Sequence, residues 1–166
     1  MNISSQEKES YSTDRNKIKT LVMGLGNPIL CDDGVGIKIA RRIKEITNEP
    51  DVQETCEAGI AILDYIEGYD KLIIIDSVKT EQGKPGGLYK IDFDSFKPAV
   101  DQSLSHGMDI ATAFEIGRGM GSNIPSIISV YGVEVKDNLT FTEECTEEIE
   151  KQIPFIAQQI IEEEKL

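Results

Sequence analysis

The sequence predicts an α/β fold: a three-layer αβα sandwich around a largely parallel, twisted central sheet. Three observations predict it. Short β-prone runs alternate along the chain with segments of helical period. One run, residues 71–76, carries four consecutive aliphatic residues (Leu72, Ile73, Ile74, Ile75), the pattern of a parallel strand covered on both faces. The first β-prone run, residues 18–23, leads straight into a glycine-rich turn at Gly24, as strand-to-helix connections in such sheets do.

The elements follow in order. After the first strand and its turn, Asp32 or Asp33 is placed to cap a helix reaching about Thr47, with Val35, Ile39, Ile43 and Ile46 on its apolar face. Residues 52–56 form a short strand, Gly59 breaks the chain, and residues 60–67 form a short helix. The central strand at 71–76 follows. Residues 83–87 (Gly-Lys-Pro-Gly-Gly) are a loop by composition, and 88–93 alternates as a strand does. A helix over 108–118 groups Ile110, Ala113, Phe114 and Gly117, and 127–133 is another β-branched strand. From Thr142 to Leu166, Ile149, Ile153, Ile156 and Ile160 recur at helical intervals, Glu143 and Glu144 suit the N-terminal dipole, and Pro154 is expected to kink or divide the helix. Because helices cross over between parallel strands, sites gather at the carboxyl ends of the strands. Three polar stretches fall there: 24–36, 76–80 and 103–109.

Composition bounds the function. A chain of 166 residues suits a single domain, read as residues 19–166 behind a polar, flexible N-terminal tail at 1–18. It is 39% hydrophobic and 28% charged, the balance of a soluble globular protein, with no run near the roughly 18–20 apolar residues that span a bilayer. The N-terminus has no secretory pattern. Three widely spaced cysteines (Cys31, Cys56, Cys145) include no Cys-x-x-Cys pair, which points to reduced thiols and a cytoplasmic location. A formal charge of −13 opposes nucleic acid and anionic membrane as partners. No long exposed apolar stripe is evident, so a monomer is expected.

The turn reads Gly24-Leu-Gly26-Asn27-Pro28-Ile-Leu-Cys31-Asp32-Asp33-Gly34-Val-Gly36. It is a poor dinucleotide fingerprint: the third glycine would fall at Ile29, Pro28 removes a backbone donor, and two acids would repel a pyrophosphate. Nor is there a Gly-Lys-Ser/Thr ending. Taken alone, Asp33 reads more often as a turn or cap residue, His106 as a solvated surface histidine, and Cys31 as an inert or buried thiol. Asp76, ending an apolar central strand, has the better site position. Ser105 beside His106 suggests a nucleophile, but no Gly-x-Ser-x-Gly elbow exists.

The turn as a whole, with the acid ending Leu72-Ile-Ile-Ile-Asp76 and the His of Ser105-His106-Gly107-Met108, resembles the nickel–iron hydrogenase maturation endopeptidases. Thr55-Cys-Glu-Ala-Gly59 is similar to a further segment of that family. The resemblance runs from about Lys19 to the C-terminus and rests on the joint order of these anchors. It implies a phosphorylase/hydrolase-like fold and an endopeptidase that trims the C-terminal extension of a hydrogenase large-subunit precursor after nickel insertion. It implies that Asp33, Asp76 and His106 form the catalytic, metal-reading cluster of an acid-dependent protease. Nickel is expected to arrive with the substrate, and another divalent metal in the isolated protein is compatible with the same cluster. These donor types suit a borderline divalent ion, and the three protein ligands leave coordination positions open. Metal-assisted hydrolysis and general acid–base catalysis by the carboxyls and His106 both fit. Asn27 is read as orienting substrate or donating to an oxyanion. Gly24, Gly26, Gly34 and Gly36 are read as letting backbone approach the substrate region closely. Asp32 is read as capping the helix or supporting Asp33. Two alternatives stay open: a nickel or maturation escort that does not cleave, and an esterase like peptidyl-tRNA hydrolase, which shares Gly24–Pro28 but whose catalytic His segment has no counterpart here.

Overall fold

The computed structural model describes residues 17–57, 59–91 and 107–166. Five strands form one sheet in the order β2-β1-β3-β5-β4. They are β1 (Thr20–Leu25), β2 (Asp51–Thr55), β3 (Lys71–Val78), β4 (Leu88–Ile91) and β5 (Ile127–Glu134). β1, β2, β3 and β5 run parallel; β4 pairs antiparallel with β5 at the edge. Helices α1 (Val35–Ile46) and α4 (Glu147–Glu164) cover one face, and α2 (Ile62–Ile66) and α3 (Gly107–Met120) the other.

Alternation along β3 divides the core in two. Ile73 and Ile75 join Val35, Ile39 and Ile43 of α1 and Ile149, Ile156 and Ile160 of α4. Leu72, Ile74 and Val78 join Ile62 and Ile66 of α2 and Ile110 and Phe114 of α3. With both faces occupied, β3 has no polar alternation, which is why its sequence is a continuous aliphatic run.

Several expectations need correction. Neither Asp32 nor Asp33 caps α1: a 3-10 turn at Cys31–Gly34 precedes it, and α1 has Gly34 as N-cap with no side-chain cap bond. Ile46, the last residue of α1, keeps helical spacing but is 42% exposed. The C-terminal helix starts at Glu147, not near Thr142, and Thr142 instead forms a parallel bridge with Leu30. Pro154 does not divide that helix, which is assigned unbroken from Glu147 to Glu164. Loss of one helical hydrogen bond and the ring clash cost about 3 kcal/mol. Burial of Ile149, Ile153, Ile156, Ala157, Ile160 and Ile161 outweighs that cost, at about 1.5–3 kcal/mol for each large side chain.

The end of α4 is fastened by charge. Glu164, with 5% of its side chain exposed, pairs with Lys71 and Lys90 at 2.7 Å each, and Tyr131 Oη donates to its Oε1 at 2.7 Å. Burial pushes the Glu164 carboxyl up, but hydrogen bonds from Lys71, Lys90, Tyr131 and Ser129 outweigh it and hold it at about 2, below its ordinary 4.5. A carboxylate depressed in the folded state stabilises above its unfolded value and loses that contribution as pH falls through its folded one. Stability is therefore expected to decline between about pH 4.5 and 2, by an amount on the order of 3 kcal/mol from this group. Glu164→Gln should flatten that acid limb in urea titrations at stepped pH; an unchanged limb would show that other carboxylates set it.

Candidate active site

β2 lies on one side of β1 and β3 on the other; the chain leaves β1 toward β2 and leaves β3 toward β4 and β5, so the connections from the neighbouring strands β1 and β3 run in opposite directions. Such a switch point, at the carboxyl ends of adjacent parallel strands, is where open α/β sheets build sites. Asp33 follows β1 and Asp76 lies near the end of β3, so both belong to this end of the sheet.

Glycines bring α1 close enough for this. A Cβ on Gly36 would stand 2.3 Å from the Ile75 carbonyl oxygen and 2.4 Å from that of Leu25; one on Gly24 would stand 2.5 Å from the Gly36 oxygen. Gly26 has φ +141°, and a Cβ there would stand 2.0 Å from the Asp33 oxygen. Gly34 lies against Pro28. The close approach expected of these four glycines is thus to the protein's own backbone, where it seats the start of α1 on β1 and β3. The turn carries strain as well: Cys31, buried, has φ +47°.

Asp33 is 7% exposed and Asp76 fully buried. Asp33 Oδ2 accepts the Asn27 N–H at 2.8 Å, and its Oδ1 accepts the Ser77 hydroxyl at 2.9 Å. Asp76 Oδ1 accepts the Ser77 N–H at 2.8 Å. Ser77 therefore touches both acids, one through its hydroxyl and one through its backbone. Alternation puts Asp76 on the α2–α3 side of β3 and Ser77 on the α1 side. Asp33 also lies immediately before α1, where the helix dipole favours negative charge. Ser77 was not among the residues singled out from sequence; its position after Asp76 at a strand end was the available signal. His106 lies outside the described residues, as do Ser103 to Ser105; α3 begins at the residue that follows it.

The Asn27 side-chain oxygen accepts the Ile29 N–H at 3.2 Å, forming a local turn. A backbone N–H requires the oxygen as acceptor, so the orientation of the amide is determined.

Asp32 points away from Asp33. Its Oδ1 accepts the Thr146 N–H at 2.6 Å, and its Oδ2 accepts the N–H groups of Asp137 at 2.9 Å and Lys136 at 3.1 Å and the Thr146 hydroxyl at 3.1 Å. Fully buried, it ties the active-site turn to the segment between β5 and α4. This replaces its expected role as cap of α1, whose N-cap is Gly34.

Cys31 and Cys145 are buried and Cys56 exposed, all as free thiols. Burial and then the charge of Asp32 push the Cys31 thiol up, and burial pushes Cys145 up to about 12. Neither is primed as a thiolate nucleophile. Among the described residues, no group of three or more His, Cys, Asp or Glu side chains could hold a metal ion, and no helix is long and apolar enough to cross a membrane.

Two buried carboxylates hydrogen-bonded to one serine at a switch point suit proton transfer or oxygen ligation. Comparison with known proteins identifies the family. The chain is 25% identical over 120 residues to the hydrogenase 2 maturation protease of Escherichia coli K12, covering 70% of this chain and 73% of that one. It is 26% identical over 151 residues to a putative hydrogenase maturation protease of Methanocaldococcus jannaschii, covering 84% and 95%. The fold matches the hydrogenase maturating endopeptidase HybD from E. coli with a TM-score of 0.73 at 23% identity, over 89% of this chain and 92% of that one. It matches the [NiFe] hydrogenase maturation protease HycI from Thermococcus kodakarensis with a TM-score of 0.67 at 25% identity, over 92% and 96%. The family model described as hydrogenase maturation protease matches residues 19–163, a span that takes in the glycine turn, both acids and the whole sheet, and the chain belongs to that family of endopeptidases.

Proposed function

We propose that this endopeptidase removes the C-terminal extension of a nickel–iron hydrogenase large-subunit precursor once nickel has been inserted, and that Asp33, Asp76 and His106 read the metal the precursor carries. The observation that supports this best is the hydrogen bonding of both Asp33 and Asp76 to Ser77, at the carboxyl ends of β1 and β3. Their donor chemistry fits the cargo: carboxylate oxygens bind borderline divalent ions, and an imidazole from His106 would complete a mixed oxygen and nitrogen set. Nickel is part of the substrate in this reading, and its presence gates cleavage.

The residues of the chain supply the proton chemistry. One carboxylate takes a proton from water as the oxygen attacks the scissile carbonyl; the other carboxyl, or His106, gives a proton to the departing amine. Ser77 holds the Asp33 carboxylate by its hydroxyl and the Asp76 carboxylate by its N–H. The Asn27 carbonyl is committed to its turn, which leaves the side-chain NH2 as the group offered to substrate.

The test is incubation with nickel-loaded and nickel-free precursor, read by mass. A large subunit shortened only when nickel-loaded is the expected result. A stable uncleaved complex would support the escort reading, and release of amino acid from peptidyl-tRNA with no effect on precursor would support the esterase.

A further inference from the structure

Three large apolar side chains stand exposed beside the active-site turn. Ile29 is 48% exposed, Leu139 76% and Phe141 80%. Elsewhere Ile116 and Met120 stand exposed one turn apart on α3, and Phe155 stands exposed on α4. Ile29, Leu139 and Phe141 belong together. Leu30 and Thr142 form a parallel bridge, Thr142 N donates to the Ile29 carbonyl at 3.1 Å, and Cys31 N donates to the Thr142 carbonyl at 2.9 Å. Ile29 and Phe141 each precede a member of the bridged pair, so they lie side by side, with Leu139 two residues further back.

The segment presenting them is built to hold them out. The Asp137 carboxylate accepts the N–H groups of Leu139 and Thr140 at 3.0 Å and the Thr140 hydroxyl at 2.6 Å. Those bonds, the hydroxyl first, keep the Asp137 carboxyl at about 2, so the turn stays closed at any working pH. Behind it, Asp32 fastens Lys136, Asp137 and Thr146 to the turn that carries Asp33. These bonds fix the backbone that presents Leu139 and Phe141. Rigid, exposed apolar side chains mark an interaction surface. The rim is acidic: Glu143 and Glu144 are exposed and follow Phe141 closely.

We infer that Ile29, Leu139 and Phe141 form a docking surface for the precursor whose bond is cut, taking an apolar segment flanked by basic residues. The inference rests on the function proposed above. Two features commit the surface to that occupant. It is continuous with the turn that carries Asp33, Ile29 lying between Asn27 and Asp33 and the Leu30–Thr142 bridge joining that turn to Phe141. Its acidic rim, in a chain of net charge −13, complements basic flanks.

The test measures processing of nickel-loaded precursor by the full chain and its variants. Leu139→Ser with Phe141→Ser should raise KM by about tenfold or more while kcat stays within about twofold, since an apolar anchor contributes to binding and not to bond cleavage. Phe155→Ser, equally exposed but on α4, should change neither, and both proteins should melt as wild type does. An unchanged KM in a folded double variant overturns the inference. So does a concentration-dependent dimer in sedimentation that the double variant abolishes without change in KM, because the surface would then belong to a second copy. If the wild-type protein leaves precursor uncut, the functional reading itself has failed; if wild type cuts and the double variant cuts equally well, only the docking surface has.

Discussion

Asp76→Asn is expected to lower kcat/KM for nickel-loaded precursor by about a thousandfold, the range over which a positioned acid or base acts. The substitution keeps the side chain's shape and its Oδ1, which accepts the Ser77 N–H. It removes the group to which the proposed function gives both proton abstraction from water and an anionic oxygen for the metal of the substrate. The fold should survive, with a melting temperature near that of wild type, because the isostere fills the same fully buried space. Time courses of precursor shortening by mass, beside thermal melts, check this. Processing within a few-fold of wild type would remove Asp76 from the chemistry.

Asp32→Ala should act in the opposite way, through stability first. Four donors now held at 2.6 to 3.1 Å would lose their acceptor at a fully buried position. Each buried unsatisfied group costs about 1–3 kcal/mol, and water entering the gap offsets part of the total, so the expected loss is about 3–5 kcal/mol. Guanidinium unfolding of both proteins measures it. A loss below about 1 kcal/mol would mean that the Leu30–Thr142 bridge and its flanking bonds hold the turn without help. The contrast is informative because the two acids look alike in sequence. In the proposed function Asp76 serves the chemistry, whereas the bonds of Asp32 are architectural.

Much of the fold was legible in the chain. The aliphatic run at 72–75 announced a strand covered on both faces, and the spacing of Val35, Ile39 and Ile43 announced the helix that covers one of them. Boundaries were less legible where side chains compete with long-range partners. Thr142 belongs to no helix because it pairs with Leu30, more than a hundred residues earlier. Pro154 sits in an unbroken helix because the apolar face of α4 is buried on both sides of it. Local rules describe what each residue prefers; neither rule contains the partner that overrides it.

The sequence by itself determined the order of strands and helices, the glycine turn, and the two acids placed where parallel sheets build sites. Those features are periodic or local, so they are written in neighbouring residues. Only the tertiary structure decided that β1 and β3 lie side by side, that Ser77 joins Asp33 to Asp76, and that Asp32 turns away to tie the loop before α4. Strand order and hydrogen-bond partnership are set by packing between segments far apart in the chain, and the −CH2COO⁻ of Asp32 carries no mark distinguishing it from that of Asp33. Its different role comes from the direction in which the strained Cys31 turn sends it, toward the N–H groups of Lys136, Asp137 and Thr146.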